Sequence, residues 1–102
     1  MQQKLRLEVE VTEEDLKEGV RQSKTCCPVA LALSRVLPPG NSGLSVMRHR
    51  VQFSPSTPGI LGHLDVIPKL REFIDNFDRG HGEELAKLSP SERTFEMRGW
   101  TV

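Results

Sequence analysis

The segment at residues 25–37, TCCPVALALSRVL, constrains the fold of this chain more than any other feature. Pro28 suits the first position of a helix, because its missing N–H has no intrahelical partner there and its φ angle is already helical. Cys27 then stands at the N-cap. The residues that follow include only two polar ones, so the predicted helix lies in the protein core. The LPPG sequence ends it, since proline cannot continue a helix.

Periodic segments on both sides of this helix predict what it packs against. Leucine and valine alternate with charged residues over residues 5–11, the pattern of a strand with one buried face. Thr12 is the predicted N-cap of a short helix that runs to Glu18 and stops at Gly19. Apolar residues at helical spacing predict an amphipathic helix over residues 68–80.

The middle of the chain has extended character. Over residues 43–54 the alternation of apolar residues changes phase near Val46, which predicts a β-bulge or a tight turn at residues 47–49. Residues 60–66 contain enough apolar residues for one more short strand. A strand therefore precedes the amphipathic helix.

Alternation returns at residues 94–102, where Gly99 shifts its phase in the manner of a bulge. With 102 residues the chain is long enough for one hydrophobic core. We therefore predict a single α+β domain over residues 1–102, in two layers: a mainly antiparallel sheet of about four strands with two main helices on one face.

Composition excludes several classes of protein. Fourteen basic and 14 acidic residues cancel, which removes the broad positive field that drives nucleic-acid binding. The N-terminal sequence has no apolar signal region, and no apolar stretch approaches the roughly 20 residues that span a bilayer. Cys26 and Cys27 are adjacent and have no third cysteine to pair with, which favours a reducing, cytoplasmic location. Membrane and nucleic-acid partners are not expected.

The same cysteines raise the question of catalysis. A thiolate at a helix N-terminus is a nucleophile, and His49 or His63 would be its base after folding. The alternative is that Cys27 is a small buried cap residue, and this interpretation is favoured because no histidine lies near it in sequence. The spacing of CxxC or HxxxH metal sites is absent, so neither a metal nor a cofactor is expected.

Two arginines in MRHRV suggest an anion site. Arg48 and Arg50 lie on the same face of an extended segment, where two guanidinium groups can clamp a phosphate or carboxylate. The alternative is a solvated sheet face on which the arginines pair with Glu8 and Glu10 of the first strand.

The last strand adds an aromatic ring. Trp100 beside Arg98 can form a stacking platform for a base or another ring, although a single tryptophan also serves as a core or interface anchor. The candidate ligand-binding residues are Arg48, Arg50, Arg98 and Trp100.

The segments VTEEDLKEGV, CPVALAL, FIDNFDRG and FEM, in this order, resemble a group of small uncharacterised proteins encoded by bacteriophages. The resemblance covers about two thirds of the chain and departs after Gly80. It rests on Thr12, Asp15, Gly19, Cys27, Pro28, residues 30–33, Phe73, Ile74, Phe77, Asp78 and Gly80. It implies a phage or prophage origin in a bacterial cytoplasm, and it transfers no catalytic residues.

Together these features favour a non-enzymatic, phage-type accessory protein that acts by binding, in counter-defence or host takeover. Its expected partner is a host protein or a small anionic, nucleotide-like ligand. A homo-oligomer is expected, because a second copy covers the exposed sheet edges of so small a domain. The alternative is a cysteine-dependent enzyme that uses Cys27.

Overall fold

A computed structural model of the chain describes residues 3–37, 42–47, 49–54 and 62–101. In chain order the elements are β1 (Gln3–Glu10), α1 (Glu13–Glu18), α2 (Pro28–Val36), β2 (Ser42–Val46), β3 (Arg50–Ser54), β4 (Gly62–Asp65), α3 (Pro68–Asp78), α4 (Gly82–Ala86) and β5 (Thr94–Thr101), with a 3-10 turn at Pro90–Arg93. The predicted α+β class is confirmed. Within these residues the sheet has five strands rather than about four, and two short helices accompany the two main ones.

Helix α1 begins and ends where its local sequence predicts. The Thr12 hydroxyl accepts a hydrogen bond from the Asp15 backbone N–H at 3.2 Å, and the Asp15 carboxylate accepts one from the Thr12 N–H at 2.9 Å. This reciprocal arrangement satisfies two N–H groups that a helix start would otherwise leave open. Gly19 is the C-cap.

Helix α2 is the buried helix that residues 25–37 predict. Cys27 is its N-cap, and Pro28 occupies its first turn. Ala32 and Leu33 are fully buried, because α2 crosses the inner face of the sheet and contacts both β1 and β2. Arg35 near its C-terminal end reaches back to Asp15 of α1 through two bonds of 2.5 and 2.6 Å.

The five strands form an antiparallel sheet in the order β1-β5-β4-β3-β2. The predicted phase change near Val46 is a hairpin between β2 and β3, closed by a hydrogen bond from the Met47 N–H to the Arg50 carbonyl at 2.9 Å. The register of β1 with β5 runs without interruption from Gln3 opposite Thr101 to Glu10 opposite Thr94. The predicted bulge at Gly99 is therefore wrong.

Gly99 has a different role. A Cβ atom at this position would collide with the backbone of His63, so the glycine allows β4 and β5 to approach closely. The strand keeps its period through Gly99, and Trp100 points to the side of the sheet opposite the core.

One hydrophobic core lies between the helices and the inner face of the sheet. Phe73 of α3 packs edge-to-face on Phe95 of β5, with ring centroids 5.2 Å apart. Gly80 follows α3 with a φ of 94°, a conformation that favours glycine and ends the helix. Buried residues of all four helices belong to this core, whereas the outward side chains of β1 and β5 are exposed or half-buried among the described residues.

Candidate functional site: the outer face of the sheet

Four strands bring one row of side chains together on the outer face. Lys4 of β1 lies opposite Trp100 of β5, which lies opposite His63 of β4, and Gln52 of β3 follows. The rings of His63 and Trp100 are stacked, with centroids 5.6 Å apart and an interplanar angle of 29°. Antiparallel cross-strand neighbours are close enough for such contacts. The row thus carries two stacked rings with a cation at one end.

A second row of charged side chains runs beside the first. Arg6 lies opposite Arg98, and Arg50 lies opposite Asp65. Asp65 and Arg98 line the same groove, because β4 and β5 keep their register as far as Leu64 opposite Gly99. Three arginines and one aspartate therefore cross the sheet next to the aromatic rings.

Glu96 joins the two opposed arginines. One oxygen of its carboxylate, Oε1, lies 2.9 Å from Nε of Arg6 and 2.8 Å from Nε of Arg98. The hydrogen bond from Arg98 and the positive charges of both arginines hold the pKa of Glu96 below its usual value. These contacts use the Nε groups, and a guanidinium group has four further N–H donors. The pair can therefore hold Glu96 and still offer donors to an anion.

A groove of about 520 Å³ opens between these side chains. Its lining residues are Lys4, Leu5, Arg6, Asp65, Arg98, Gly99 and Trp100. An indole face gives a flat apolar surface, and cations at its border attract negative charge. The groove is suited to a ligand that has both a ring and an anionic group.

His63 carries an unsatisfied polar atom in this region. Its Nδ1 is buried and has no hydrogen-bond partner among the described residues. Buried polar atoms of folded proteins are nearly always paired. His63 therefore holds one buried polar atom that the described residues leave unpaired, on a ring that stacks on Trp100 but does not itself line the groove.

The structure divides the predicted ligand-binding set. Arg98 and Trp100 line the groove together, whereas Arg50 lies beyond Asp65 and borders a second cavity. Arg48 lies outside the described residues. The alternative prediction, that Arg50 pairs with the acidic residues of β1, is wrong, because β5 and β4 separate β3 from β1.

Sequence reasoning missed three residues of the outer face as ligand-binding candidates: Lys4 and Arg6, which line the groove, and His63, which stacks on Trp100 beside it. Lys4 and Arg6 belong to the charged positions of the alternating first strand, so their outward direction was predictable. Their position beside Trp100 was not, because it depends on β1 pairing with β5. His63 has no local signal that distinguishes it from the other histidines.

The second cavity, about 550 Å³ in volume, borders the start of α2, and both Cys27 and His49 line it. Cys27 is only 3% exposed, and its Sγ accepts a hydrogen bond from the Ala30 N–H at 3.4 Å. Burial raises the pKa of the Cys27 thiol, which disfavours the reactive thiolate. His63 lies on the outer face and so cannot serve as its base. These features describe a packed cap residue.

Among the described residues, no three histidine, cysteine or acidic side chains are grouped so that they could hold a metal ion. The helices of the same residues include none with the length and apolar character needed to cross a membrane.

Comparison of the chain with protein-family models, with curated proteins and with solved structures finds no match. The function of the chain is therefore inferred from the chemistry of the outer-face groove.

Proposed function

We propose that the protein is a non-enzymatic binding protein whose outer-face groove takes a small anionic ligand with a planar ring, such as a nucleotide. The observation that supports this best is the stack of Trp100 and His63 in a row with Lys4 and next to Arg6 and Arg98. A base stacks on an aromatic face with a favourable free energy of about 1–3 kcal/mol. The phosphate then lies within reach of the cations.

The balance of charge around the groove also favours an anion. Three cationic side chains, Lys4, Arg6 and Arg98, line the groove together with one carboxylate, that of Asp65. The chain as a whole has no net charge, so the positive character is local. A local patch favours a compact ligand over a long nucleic acid, which gains affinity from many phosphate contacts.

The accessory role in phage counter-defence or host takeover remains part of this proposal, as does assembly into a homo-oligomer. A ligand-binding protein of this kind acts by sequestering a small molecule or by changing a protein surface when the ligand is bound. A host-protein partner would use the same outer face, where Trp100 would be the anchor.

The single tryptophan makes the proposal directly testable. Titration of the protein with nucleoside mono-, di- and triphosphates and cyclic dinucleotides should change the emission of Trp100, because the ligand covers its ring. Isothermal titration calorimetry provides an independent affinity. We expect Arg98→Ala to weaken binding about tenfold or more, as loss of a charge-assisted hydrogen bond predicts.

A matched control is Arg79→Ala, which removes an exposed arginine at the C-cap of α3, away from the outer face. This variant should bind as the wild type does. If no anionic ring compound binds the wild-type protein, or if the Arg98 and Arg79 variants lose affinity equally, the groove is not the site.

A further inference from the structure

The first strand leaves a long open edge. β1 has eight residues and pairs only with β5 within the described part of the chain. An edge of this length presents unpaired backbone N–H and C=O groups that can pair with another strand. The question is which strand fits it.

The ladder shows which backbone groups point outwards. Val11 donates its N–H to the Arg93 carbonyl at 2.9 Å, which continues the register of β1 with β5. Hydrogen-bonded pairs alternate along an antiparallel ladder, so the odd-numbered residues of β1 bond to β5. The even-numbered residues point their backbone groups to the open edge: Lys4, Arg6, Glu8 and Glu10.

One contact confirms this direction. The Glu10 carbonyl accepts a hydrogen bond of 3.4 Å from Arg35 at the end of α2. A carbonyl oxygen has two lone pairs, so Glu10 can accept a second bond. The edge from Lys4 to Glu8 has no such contact among the described residues.

The opposite edge of the sheet is less suited to pairing. β2 has five residues, and its register with β3 shifts between Ser42 and Ser45. The Val46 N–H already donates to the Lys24 carbonyl at 2.7 Å. Short and interrupted edges resist strand addition, so β1 is the edge that a partner would use.

The order of charges along β1 is complementary to itself. If a second β1 lies antiparallel and centred on Leu7, Lys4 faces Glu10 of the second copy and Arg6 faces Glu8 of the second copy. Both copies contribute, so four pairs of opposite charge form. In each of these pairs, the open backbone N–H and C=O groups of one strand face those of the other strand, as a hydrogen-bonded ladder requires.

Neighbouring registers are worse. A shift of two residues in one direction places Arg6 opposite Arg6 of the second copy, and a shift in the other direction places Glu8 opposite its own equivalent. Like charges directly opposite each other are destabilising. A shift of one residue places the even-numbered residues of one strand opposite odd-numbered residues of the other, whose backbone N–H and C=O groups already bond to β5. The charge pattern thus selects one register.

The inner face of β1 fits the same register. Leu5 and Leu7 are only half-buried, whereas Val9 is fully buried. In the centred register Leu7 faces Leu7 and Leu5 faces Val9. The second copy would remove apolar surface from water at the place where the helices cover it least, which stabilises association.

We infer that β1 pairs with β1 of a second copy, antiparallel and centred on Leu7, which joins two five-stranded sheets into one continuous sheet. The inference deepens the homo-oligomer part of the proposed function and rests on it. Its geometry also places the two outer-face grooves on the same side of the joined sheet, one on each side of the two-fold axis.

The test uses charge reversal on the whole chain, with sedimentation equilibrium and light scattering from about 10 to 500 µM, a range that detects weak dimers. The wild type should dimerise. Arg6→Glu leaves two glutamates facing each other in each central pair, and Glu8→Arg leaves two arginines there. Each variant alone should dimerise more weakly, on the order of tenfold, because attractive pairs become repulsive.

Restoration distinguishes this interface from misfolding. An equimolar mixture of the two variants should form a heterodimer, since the glutamates of one copy face the arginines of the other. The double variant Arg6→Glu/Glu8→Arg should dimerise by itself. A wild type that stays monomeric over the whole range overturns the inference, as does a mixture no more associated than its components.

Ligand binding is measured separately. Glu8 does not line the groove, so Glu8→Arg keeps the residues of the proposed site while it weakens the dimer. If Glu8→Arg binds the anionic ring compound but the wild type does not dimerise, only the proposed interface is refuted. A dimer that behaves as expected but binds no anionic ring compound refutes the ligand proposal alone.

Discussion

The contact between Asp15 of α1 and Arg35 of α2 should be one of the strongest polar contributions to stability. Asp15 is 4% exposed, and its two oxygens accept bonds of 2.5 and 2.6 Å from the guanidinium group of Arg35. The same carboxylate accepts the Thr12 N–H. One side chain thus closes the start of α1 and ties it to the end of α2.

The effect of Asp15→Ala follows from these bonds. Loss of a helix capping side chain costs about 1 kcal/mol. Loss of hydrogen bonds to a charged group costs about 1.5–3 kcal/mol, and the lower end applies because the Arg35 side chain is 48% exposed and can turn to water. We expect a loss of about 2.5 kcal/mol, which lowers the Tm of a domain of this size by about 10–20 °C.

Urea denaturation followed by circular dichroism measures this loss. Glu14→Ala, at an exposed neighbour in the same helix turn, is the matched control and should change the free energy of unfolding by less than about 0.5 kcal/mol. A double-mutant cycle of Asp15→Asn with Arg35→Met should give a coupling energy of about 1–2 kcal/mol. A coupling energy near zero would refute the assignment of the lost stability to this ion pair.

The same contact predicts a pH dependence. Burial acts to raise the pKa of Asp15, but the hydrogen bonds from Arg35 and Thr12 outweigh it, so the pKa lies below its usual value. The unfolded chain then binds the proton more readily. The contribution of Asp15 is complete above the unfolded pKa of about 4 and is lost as the pH falls through the lower folded value. The difference in stability between the wild type and Asp15→Asn should shrink below about pH 4.

Three further results are expected. Iodoacetamide at neutral pH should label exposed Cys26 and leave buried Cys27 unmodified until the protein unfolds, as mass spectrometry of the peptides will show; rapid labelling of Cys27 would support a nucleophile instead. Gly99→Ala should destabilise the protein by about 2 kcal/mol in a thermal melt, because the added methyl collides with the neighbouring strand. The control Gly82→Ala adds a methyl at ordinary contact distance in α4 and should be neutral or stabilising in the same melt. Glu96→Gln removes the carboxylate that two groove arginines share and should tighten binding of an anionic ligand several-fold by calorimetry; unchanged affinity would place the anion elsewhere.

Helices α1, α2 and α3 were predictable because their signals are local. Thr12 and Asp15 are three residues apart, and Cys27 and Pro28 are adjacent, so each cap is specified within one turn. The amphipathic pattern of α3 likewise lies within one segment. Burial of α2 follows from its apolar composition alone.

The bulge expected at Gly99 shows where local reasoning failed. The glycine and the phase of the neighbouring apolar residues were visible in the sequence, but the reason for the glycine was not. It admits the backbone of His63, which is 36 positions away in the chain. A missing side chain can mean a bulge or a close approach, and only the neighbouring strand decides between them.

By itself, the sequence determined helices α1, α2 and α3 and the buried face of β1, because hydrophobic period and capping chemistry act over a few residues. The tertiary structure alone decided the strand order, and with it which charges meet. It separated Arg50 from Glu8 and Glu10, and it placed Lys4 beside Trp100 from the other end of the chain. Pairing between distant strands depends on the packing of the whole core, which no local pattern encodes.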